Sequence, residues 1–94
     1  MENLKTILKK EETTVIDVRE PWEFASGHLP KAINIPLNDI PGYLYEIKKM
    51  TGPKILYCHS GGRSGMAVNL LKQSGIKDVY NGGAIAEIQQ LIMN

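Results

Sequence analysis

Apolar residues along the chain follow two spacings that alternate from one end to the other. Short runs rich in β-branched and aromatic residues, bounded by Gly, Pro or charged residues, are typical of buried strands. Longer segments with apolar residues three or four positions apart are typical of helices packed on one face. Strands are predicted at residues 13–18, 32–35, 54–58 and 77–80. Helices are predicted near residues 4–8, after residue 21, from 38 or 39 to 50, from 63 or 64 to 74, and from 85 onward.

Glycine and proline mark the ends of these elements. Pro21 suits the first turn of the second helix, and Gly27 suits its end. Pro41 fits only the first turn of the third helix, and Gly42 weakens that helix. The segment NGG, residues 81–83, is predicted to be a tight turn between the fourth strand and the last helix.

Strands that alternate with helices indicate an α/β fold with a mostly parallel sheet. At 94 residues the chain is expected to be a single domain, residues 1–94. In an open parallel sheet, sites form at the carboxyl ends of the strands. Cys58 ends the third predicted strand, and the loop after it leads into a helix, so function is expected there.

Charge and cysteine content exclude several classes of function. The chain has 11 Lys and Arg residues against 10 Asp and Glu, and a net charge of +1 is too small for a nucleic-acid interface. The N-terminus lacks the apolar run of a signal peptide, and no segment is long enough to span a membrane, so a soluble, cytoplasmic protein is expected. The single cysteine forms no internal disulfide and no structural zinc site.

The loop after the third strand has the composition of an anion-binding turn. Gly61 and Gly62 accept backbone angles closed to other residues and add no side chains. The amides of residues 59–64 can therefore face one point as an anion nest, and the N-terminus of the following helix adds partial positive charge. Arg63 adds a charge that does not titrate. A cysteine in this setting ionises easily, so Cys58 is predicted to be a nucleophile. The predicted binding loop consists of His59, Ser60, Gly61, Gly62, Arg63 and Ser64.

Three interpretations of this loop remain open on the residues alone. Cys58 is an inert buried thiol before a phosphate-binding loop, a nucleophile that attacks phosphate, or a nucleophile that takes an outer sulfur as a persulfide. No Gly-Lys-Ser/Thr follows, which disfavours the first interpretation. The segment between Cys58 and Arg63 is one residue shorter than in the cysteine-dependent phosphatases. The space enclosed by this shorter loop better matches a single terminal sulfur than a phosphoryl group.

Three segments of the chain resemble the single-domain rhodaneses, a family of sulfurtransferases. VIDVREPWEFASGHLPKAINIP, residues 15–36, is similar to the family's N-terminal signature. YCHSGGRS, residues 57–64, resembles its active-site loop, Cys-x4-Arg-Ser, and VYNGGAIAE, residues 79–87, resembles its closing Gly-Gly turn. The resemblance implies a three-layer α/β/α fold around a parallel sheet of four or five strands.

The chain departs from the family pattern at three points. Lys31 stands where glycine is usual, which is expected to alter only the surface of a turn. Glu87 stands where tryptophan is frequent, which removes a large apolar side chain from the last helix. No segment before the first helix matches the family's usual first strand.

Roles for the loop residues follow from their positions. Cys58 is predicted to be catalytic. Arg63 is predicted to hold an anion or polarise the sulfur, because a cation at the positive end of a helix dipole suggests an anionic partner. His59 is expected to point outward, in a substrate-steering role or none. Ser60 bonds the persulfide or forms the turn, and Ser64 is expected to cap the helix rather than bond the sulfur.

Residues outside the loop receive structural roles. The resemblance implies a structural aspartate at Asp17. Arg19 is expected in a surface network of ion pairs, with guidance of anionic substrates as the alternative. His28 has no second ligand at metal spacing and is predicted to be a hydrogen-bonded structural residue. Trp22 and Phe24 are predicted to pack rather than to form a platform for substrate.

Residues and resemblance together predict a sulfurtransferase. Cys58 would take sulfane sulfur from a donor such as thiosulfate and pass it to cyanide, a thiol or a partner protein, with no metal or organic cofactor and as a monomer. A non-catalytic rhodanese-like binding module is the alternative, which the presence of Cys58 and Arg63 disfavours. Phosphatase or arsenate reductase chemistry is a third interpretation, which the short loop disfavours.

Overall fold

The computed structural model describes residues 3–93, in which helices alternate with four strands. In chain order the elements are α1 (Leu4–Leu8), β1 (Thr14–Asp17), α2 (Pro21–Ala25), β2 (Ile33–Asn34), a 3₁₀-helix (Leu37–Tyr43), α3 (Leu44–Lys49), β3 (Lys54–Cys58), α4 (Gly62–Gln73), β4 (Val79–Ala84) and α5 (Ile85–Met93). The strands form one sheet in the order β2-β1-β3-β4, and every neighbouring pair is parallel. The predicted α/β fold with a parallel sheet is confirmed.

The inner strand β3 organises the core. All of its residues are buried, as expected for a strand covered on both faces of a parallel sheet. Because successive side chains of a strand point to opposite faces, Ile55 and Tyr57 pack into one apolar cluster, and Leu56 and Cys58 pack into another. The sulfur of Cys58 therefore lies at the end of a strand held from both sides.

Helices cover both faces of the sheet and give the expected three layers. The face with Cys58 is covered by the 3₁₀-helix, α3 and α4, through Ile40, Ile47 and Leu71. The opposite face is covered by α1 and α5, through Ile7 and Ile88. None of the helices within residues 3–93 is long and apolar enough to cross a membrane.

The third predicted helix begins differently from the expectation. The segment expected to be α-helical from residue 38 or 39 starts as a 3₁₀-helix at Leu37 and becomes α-helical only at Leu44. Pro41 lies inside the 3₁₀-helix. Because proline has no amide hydrogen and clashes with the carbonyl four residues earlier, it opposes α-helix at this point and tolerates the tighter turn.

The predicted turn at residues 81–83 is wrong, because these residues belong to β4. Leu56 pairs with Asn81 and Tyr57 pairs with Gly83, so Gly82 is the extra residue of a β-bulge. A Cβ atom on Gly82 would lie 2.9 Å from the side chains of Ile55 and Ile88. The glycines therefore serve close packing within a strand. Within residues 3–93 no strand precedes β1, in line with the missing first strand.

The aromatic residues of α2 have different environments. Phe24 packs against the apolar cluster that contains Tyr57, and its ring stacks on His28 at 3.8 Å between centroids. A ring nitrogen of His28 lies 2.9 Å from the carbonyl of Leu29, which confirms its structural role. Trp22 is 72% exposed, so the prediction that it packs is wrong. Residues two apart on a helix point in nearly opposite directions, and Phe24 occupies the inward side.

Candidate active site

The loop that follows β3 turns the chain sharply into α4. Gly61 is the N-cap of α4 and has φ 98°, in the left-handed region that favours glycine. A Cβ atom at this position would lie 3.4 Å from the Cα atom of Gly83, so the loop also passes close to the bulge of β4. The predicted helix start is confirmed, since α4 begins at Gly62.

Hydrogen-bond donors surround the sulfur of Cys58. The Gly61 amide lies 3.0 Å from Sγ, the Ser64 amide 3.4 Å, and the Ser64 hydroxyl 3.5 Å. Burial alone raises the pKa of the Cys58 thiol, but hydrogen bonds from Ser64, Gly61 and Ser60 outweigh it, and the net pKa is lowered. The site therefore stabilises a thiolate, as a nucleophilic cysteine requires.

The remaining small and polar loop residues line the outside of the turn. His59 and Ser60 are exposed, as expected for an outward-pointing histidine. Gly62 is exposed, and a Cβ atom placed on it would meet nothing within 4 Å. Their roles in substrate binding stay predictions.

Ser64 lies in the first turn of α4 and does not cap the helix. Gly61 holds the N-cap position, so the predicted cap role of Ser64 is wrong. The Ser64 side chain is buried, with its hydroxyl 2.7 Å from Oδ1 of Asn81 and 3.1 Å from the carbonyl of Gly61. A hydroxyl has one proton, so these two acceptors and the cysteine sulfur compete for it.

Asn81 is a site residue that sequence reasoning missed. Its Oδ1 accepts a hydrogen bond from the Gly83 amide at 2.9 Å, and its Nδ2 donates to the Gly61 carbonyl at 3.3 Å. Asn81 thus connects the bulge of β4 to the loop around Cys58. The only sequence signal for Asn81 is its position before Gly82 and Gly83, and that pattern predicts a turn.

Arg63 points its guanidinium at a carboxylate. Its Nη1 and Nη2 donate to Oε1 and Oε2 of Glu23 at 2.7 and 3.0 Å, a two-pronged ion pair. Glu23 raises the pKa of Arg63 most strongly, and the charge of Cys58 adds to the effect. The predicted role of Arg63, to hold an anion or polarise the sulfur, stays a prediction, because both terminal nitrogens of its guanidinium contact a carboxylate of α2.

Glu23 was also absent from the predicted site. It lies in the first turn of α2, where its Oε1 also accepts the Glu20 amide at 3.0 Å in a capping box. The hydrogen bonds from Arg63 lower the pKa of Glu23 to about 2. The spacing of Glu20 and Glu23 around Pro21 is a sequence signal for the helix cap. The contact of Glu23 with Arg63 has no such signal, because the two residues are 40 positions apart and meet only in the folded chain.

Arg19 is not part of a surface network, contrary to the prediction. The residue is buried, and its guanidinium contacts the equally buried Asp17 at 2.8 Å and the carbonyl of Gly27 at 2.7 Å. The bond to the Gly27 carbonyl holds the loop after α2 against the end of β1. Within residues 3–93, no group of three or more His, Cys, Asp or Glu side chains is arranged to hold a metal ion.

Comparison with known proteins gives the family. The profile of the Rhodanese-like domain matches residues 1–84. The chain belongs to the rhodanese-like family. A sulfurtransferase of Allochromatium vinosum is 40% identical over 78 residues, which cover 81% of this chain and 72% of that protein. A thiosulfate sulfurtransferase of Escherichia coli, PspE, is 32% identical over 78% of this chain and 71% of its own length.

Solved rhodanese folds agree with this assignment. The human single-domain sulfurtransferase TSTD1 superposes with a TM-score of 0.78 at 25% identity, over 93% of this chain and 89% of that one. A rhodanese with anions from Escherichia coli gives a TM-score of 0.74 at 31% identity, over 81% and 91% of the two chains. These relatives support a place in a family of sulfurtransferases.

Several relatives of the rhodanese-like family are longer than this chain. The chain spans 66% of the protein YqhL of Bacillus subtilis, 47% of slr1261 of Synechocystis, and 38% of YrkF, a putative sulfur carrier protein of Bacillus subtilis. The domain is therefore found in more than one protein context.

Two of the three departures from the rhodanese pattern, Lys31 and Glu87, have different structural consequences. Lys31 has φ 65°, so a side chain occupies a left-handed position that glycine would accept without strain. Glu87 is exposed in the first turn of α5, and its Oε1 accepts the amide of Ala84 at 3.2 Å. The helix still docks on the sheet through Ile88.

Proposed function

We propose that the chain is a sulfurtransferase that carries sulfane sulfur as a persulfide on Cys58. The observation that supports this most directly is the set of donors around Sγ, from the amides of Gly61 and Ser64 and the Ser64 hydroxyl. These groups stabilise negative charge at the end of β3. A persulfide anion places its charge one atom further out, above the same donors.

The proposed cycle has two steps that need no external oxidant or reductant. The Cys58 thiolate attacks the outer sulfur of a donor such as thiosulfate, the donor's S–S bond breaks, and sulfite leaves with the electron pair. An acceptor such as cyanide or a thiol then attacks the outer sulfur of the persulfide, and the thiolate returns. Covalent catalysis divides one difficult transfer into two easier ones, so no metal or organic cofactor is required.

The two other interpretations of the loop have less support. A binding module has no need for a thiolate, whereas the pKa of Cys58 is lowered despite burial. A phosphatase needs its arginine for the equatorial oxygens of phosphate, whereas both terminal nitrogens of Arg63 contact Glu23. Sulfur transfer requires the loop to accommodate only a single terminal sulfur, which is smaller than a phosphoryl group.

The expected setting follows from the same chemistry. A reactive thiol remains reduced in the cytoplasm, where glutathione and thioredoxin act, so we place the protein there. Its partners would be a small anionic donor and a thiol or cyanide acceptor, or a protein that carries a persulfide. Neither nucleic acid nor a membrane is an expected partner, because the net charge is only +1. The chain, of 10.5 kDa, is expected to be a monomer.

Intact-mass spectrometry tests the persulfide directly. Incubation with thiosulfate is expected to add about 32 Da, and cyanide is expected to remove it with formation of thiocyanate. Cys58→Ser keeps a small polar side chain among the same donors and is expected to abolish the gain while the far-UV circular dichroism stays unchanged. Hydrolysis of an aryl phosphate without any sulfur gain would instead favour the phosphatase interpretation.

A further inference from the structure

The ion pair between Glu23 and Arg63 is unusual in its placement. Arg63 is the residue before Ser64, whose amide lies 3.4 Å from the sulfur of Cys58, and the charge of Cys58 helps to raise the pKa of Arg63, so the guanidinium lies within electrostatic range of the sulfur. Glu23 comes from α2 on the other side of the loop, and the contact spans 40 residues of sequence.

The geometry fixes Glu23 as well as Arg63. Both oxygens of the carboxylate contact Arg63, and Oε1 also accepts the Glu20 amide at 3.0 Å. The Glu23 side chain is 15% exposed and that of Arg63 is 35% exposed, so both are partly shielded from water. With the pKa of Glu23 lowered to about 2 by Arg63, the carboxylate is charged at every physiological pH.

An anionic donor that approaches Cys58 therefore meets an arginine whose charge is already balanced. The Glu23 carboxylate that balances Arg63 is also held by the Glu20 amide in the N-terminal cap of α2. Glu23 offsets the attraction that Arg63 would otherwise exert on a donor, and the attraction lost in this way is twice as large for a dianion as for a monoanion. Doubly charged and singly charged sulfur donors should consequently differ in kcat/KM.

We propose that Glu23 is a specificity-determining residue, which disfavours doubly charged sulfur donors such as thiosulfate relative to singly charged donors that deliver the same sulfane sulfur. This inference rests on the proposed sulfurtransferase function. It assigns the natural donor to the class of monoanionic persulfides, R–S–S⁻, on a small molecule or on a protein. Attack by Cys58 on such a donor breaks its S–S bond and releases a thiolate, with charge and electrons balanced.

A matched pair of donors tests the proposal. Thiosulfate and methanethiosulfonate each present one terminal sulfur, and they release sulfite and methanesulfinate, which differ by one negative charge. Values of kcat/KM are measured for both donors with cyanide as acceptor. In Glu23→Gln the ratio of thiosulfate to methanethiosulfonate is expected to rise on the order of fivefold, mainly through a lower KM for thiosulfate. Higher ionic strength should shrink the difference from the wild type.

The matched control is Glu20→Gln. It removes one charge from the same segment, but the Glu20 side chain caps the Glu23 amide instead of binding Arg63. Its donor ratio is expected to stay within about twofold of the wild type. The side-chain amide in Glu23→Gln keeps an oxygen that can accept the Glu20 amide. Because both kcat/KM values are measured on one preparation, their ratio does not depend on the fraction of protein that is folded.

The outcomes separate the two proposals. An unchanged donor ratio in Glu23→Gln, or an equal rise in Glu20→Gln, overturns the role of Glu23 and leaves sulfur transfer intact. If the wild type forms no thiocyanate from either donor and gains no sulfur by mass, the proposed function fails, and the inference fails with it.

Discussion

At the scale of single residues, Cys58 is governed by the competition between burial and hydrogen bonding. Burial disfavours the thiolate, and donors from Gly61 and Ser64 favour it more strongly. Two of these donors are backbone amides, which no substitution of a side chain removes. The Ser64 hydroxyl is the side-chain donor among them, and it also contacts the Gly61 carbonyl and Oδ1 of Asn81.

Ser64→Ala is expected to raise the pKa of Cys58. In the wild type, alkylation by iodoacetamide should increase as pH rises through the lowered pKa and then level off, because only the thiolate reacts. Loss of the hydroxyl shifts this curve to higher pH and should slow alkylation at pH 7 by about two- to tenfold, since one hydrogen bond to a charged group is removed. Alkylation rates measured from pH 5 to pH 10 check the shift.

Ser74→Ala is the control for this measurement. It makes the same change at the far end of α4, where the hydroxyl bonds the Leu70 carbonyl. Its pH profile should match the wild type. A profile of Ser64→Ala that also matches the wild type would mean that the backbone amides alone set the acidity of Cys58.

At the scale of elements, the turn before β2 and the bulge of β4 each contain a residue with a left-handed backbone conformation. Gly83 takes φ 83° in the bulge, where glycine carries no strain. Lys31 takes φ 65° just before β2 begins at Ile33, where a Cβ atom is disfavoured. The lysine side chain is exposed and contributes no core packing there.

Lys31→Gly is expected to stabilise the fold by about 0.5–1 kcal/mol, because relief of left-handed strain exceeds the added entropy of the unfolded chain. The midpoint of urea unfolding, followed by circular dichroism, should move upward with an unchanged slope. Lys31→Ala removes the same charge and keeps a Cβ atom, so it should give no such gain. Equal gains from both variants would trace the effect to charge and not to the backbone.

At the scale of the whole molecule, the buried pair of Asp17 and Arg19 ties three parts of the chain together. It joins the end of β1 to the carbonyl of Gly27 after α2, and the amide of Asn34 in β2 donates to the carbonyls of both residues. Together these bonds hold β1 and β2 at the edge where the site forms.

Arg19→Met is expected to cost about 3 kcal/mol of unfolding free energy, because it leaves the buried carboxylate of Asp17 without its partner. Urea unfolding measures the loss. Lys77→Met, at an exposed position, should cost less than about 0.5 kcal/mol. If both variants lose equally little, the buried pair is not a main support of the fold.

Much of the fold was predictable because its signals are local. The strand at residues 54–58 and the helices around residues 4–8 and 85–93 were expected from spacing alone. The bulge of β4 was not, because it depends on how Leu56 and Tyr57 register against Asn81 and Gly83. In the site, Cys58 and its loop were predicted, whereas Glu23 and Asn81 lie on other elements and are brought there only by folding.

The alternation of strands and helices, the place of Cys58 at the end of a strand, and the glycines that let the loop turn can all be predicted from the amino-acid sequence. These follow from side-chain periodicity and backbone sterics, which act over a few residues. The contact of Arg63 with Glu23, the position of Ser64 between the sulfur and Asn81, and the burial of Arg19 arise only in the folded chain. Such pairings depend on distances between segments far apart in the chain, which are set when the helices dock on the sheet.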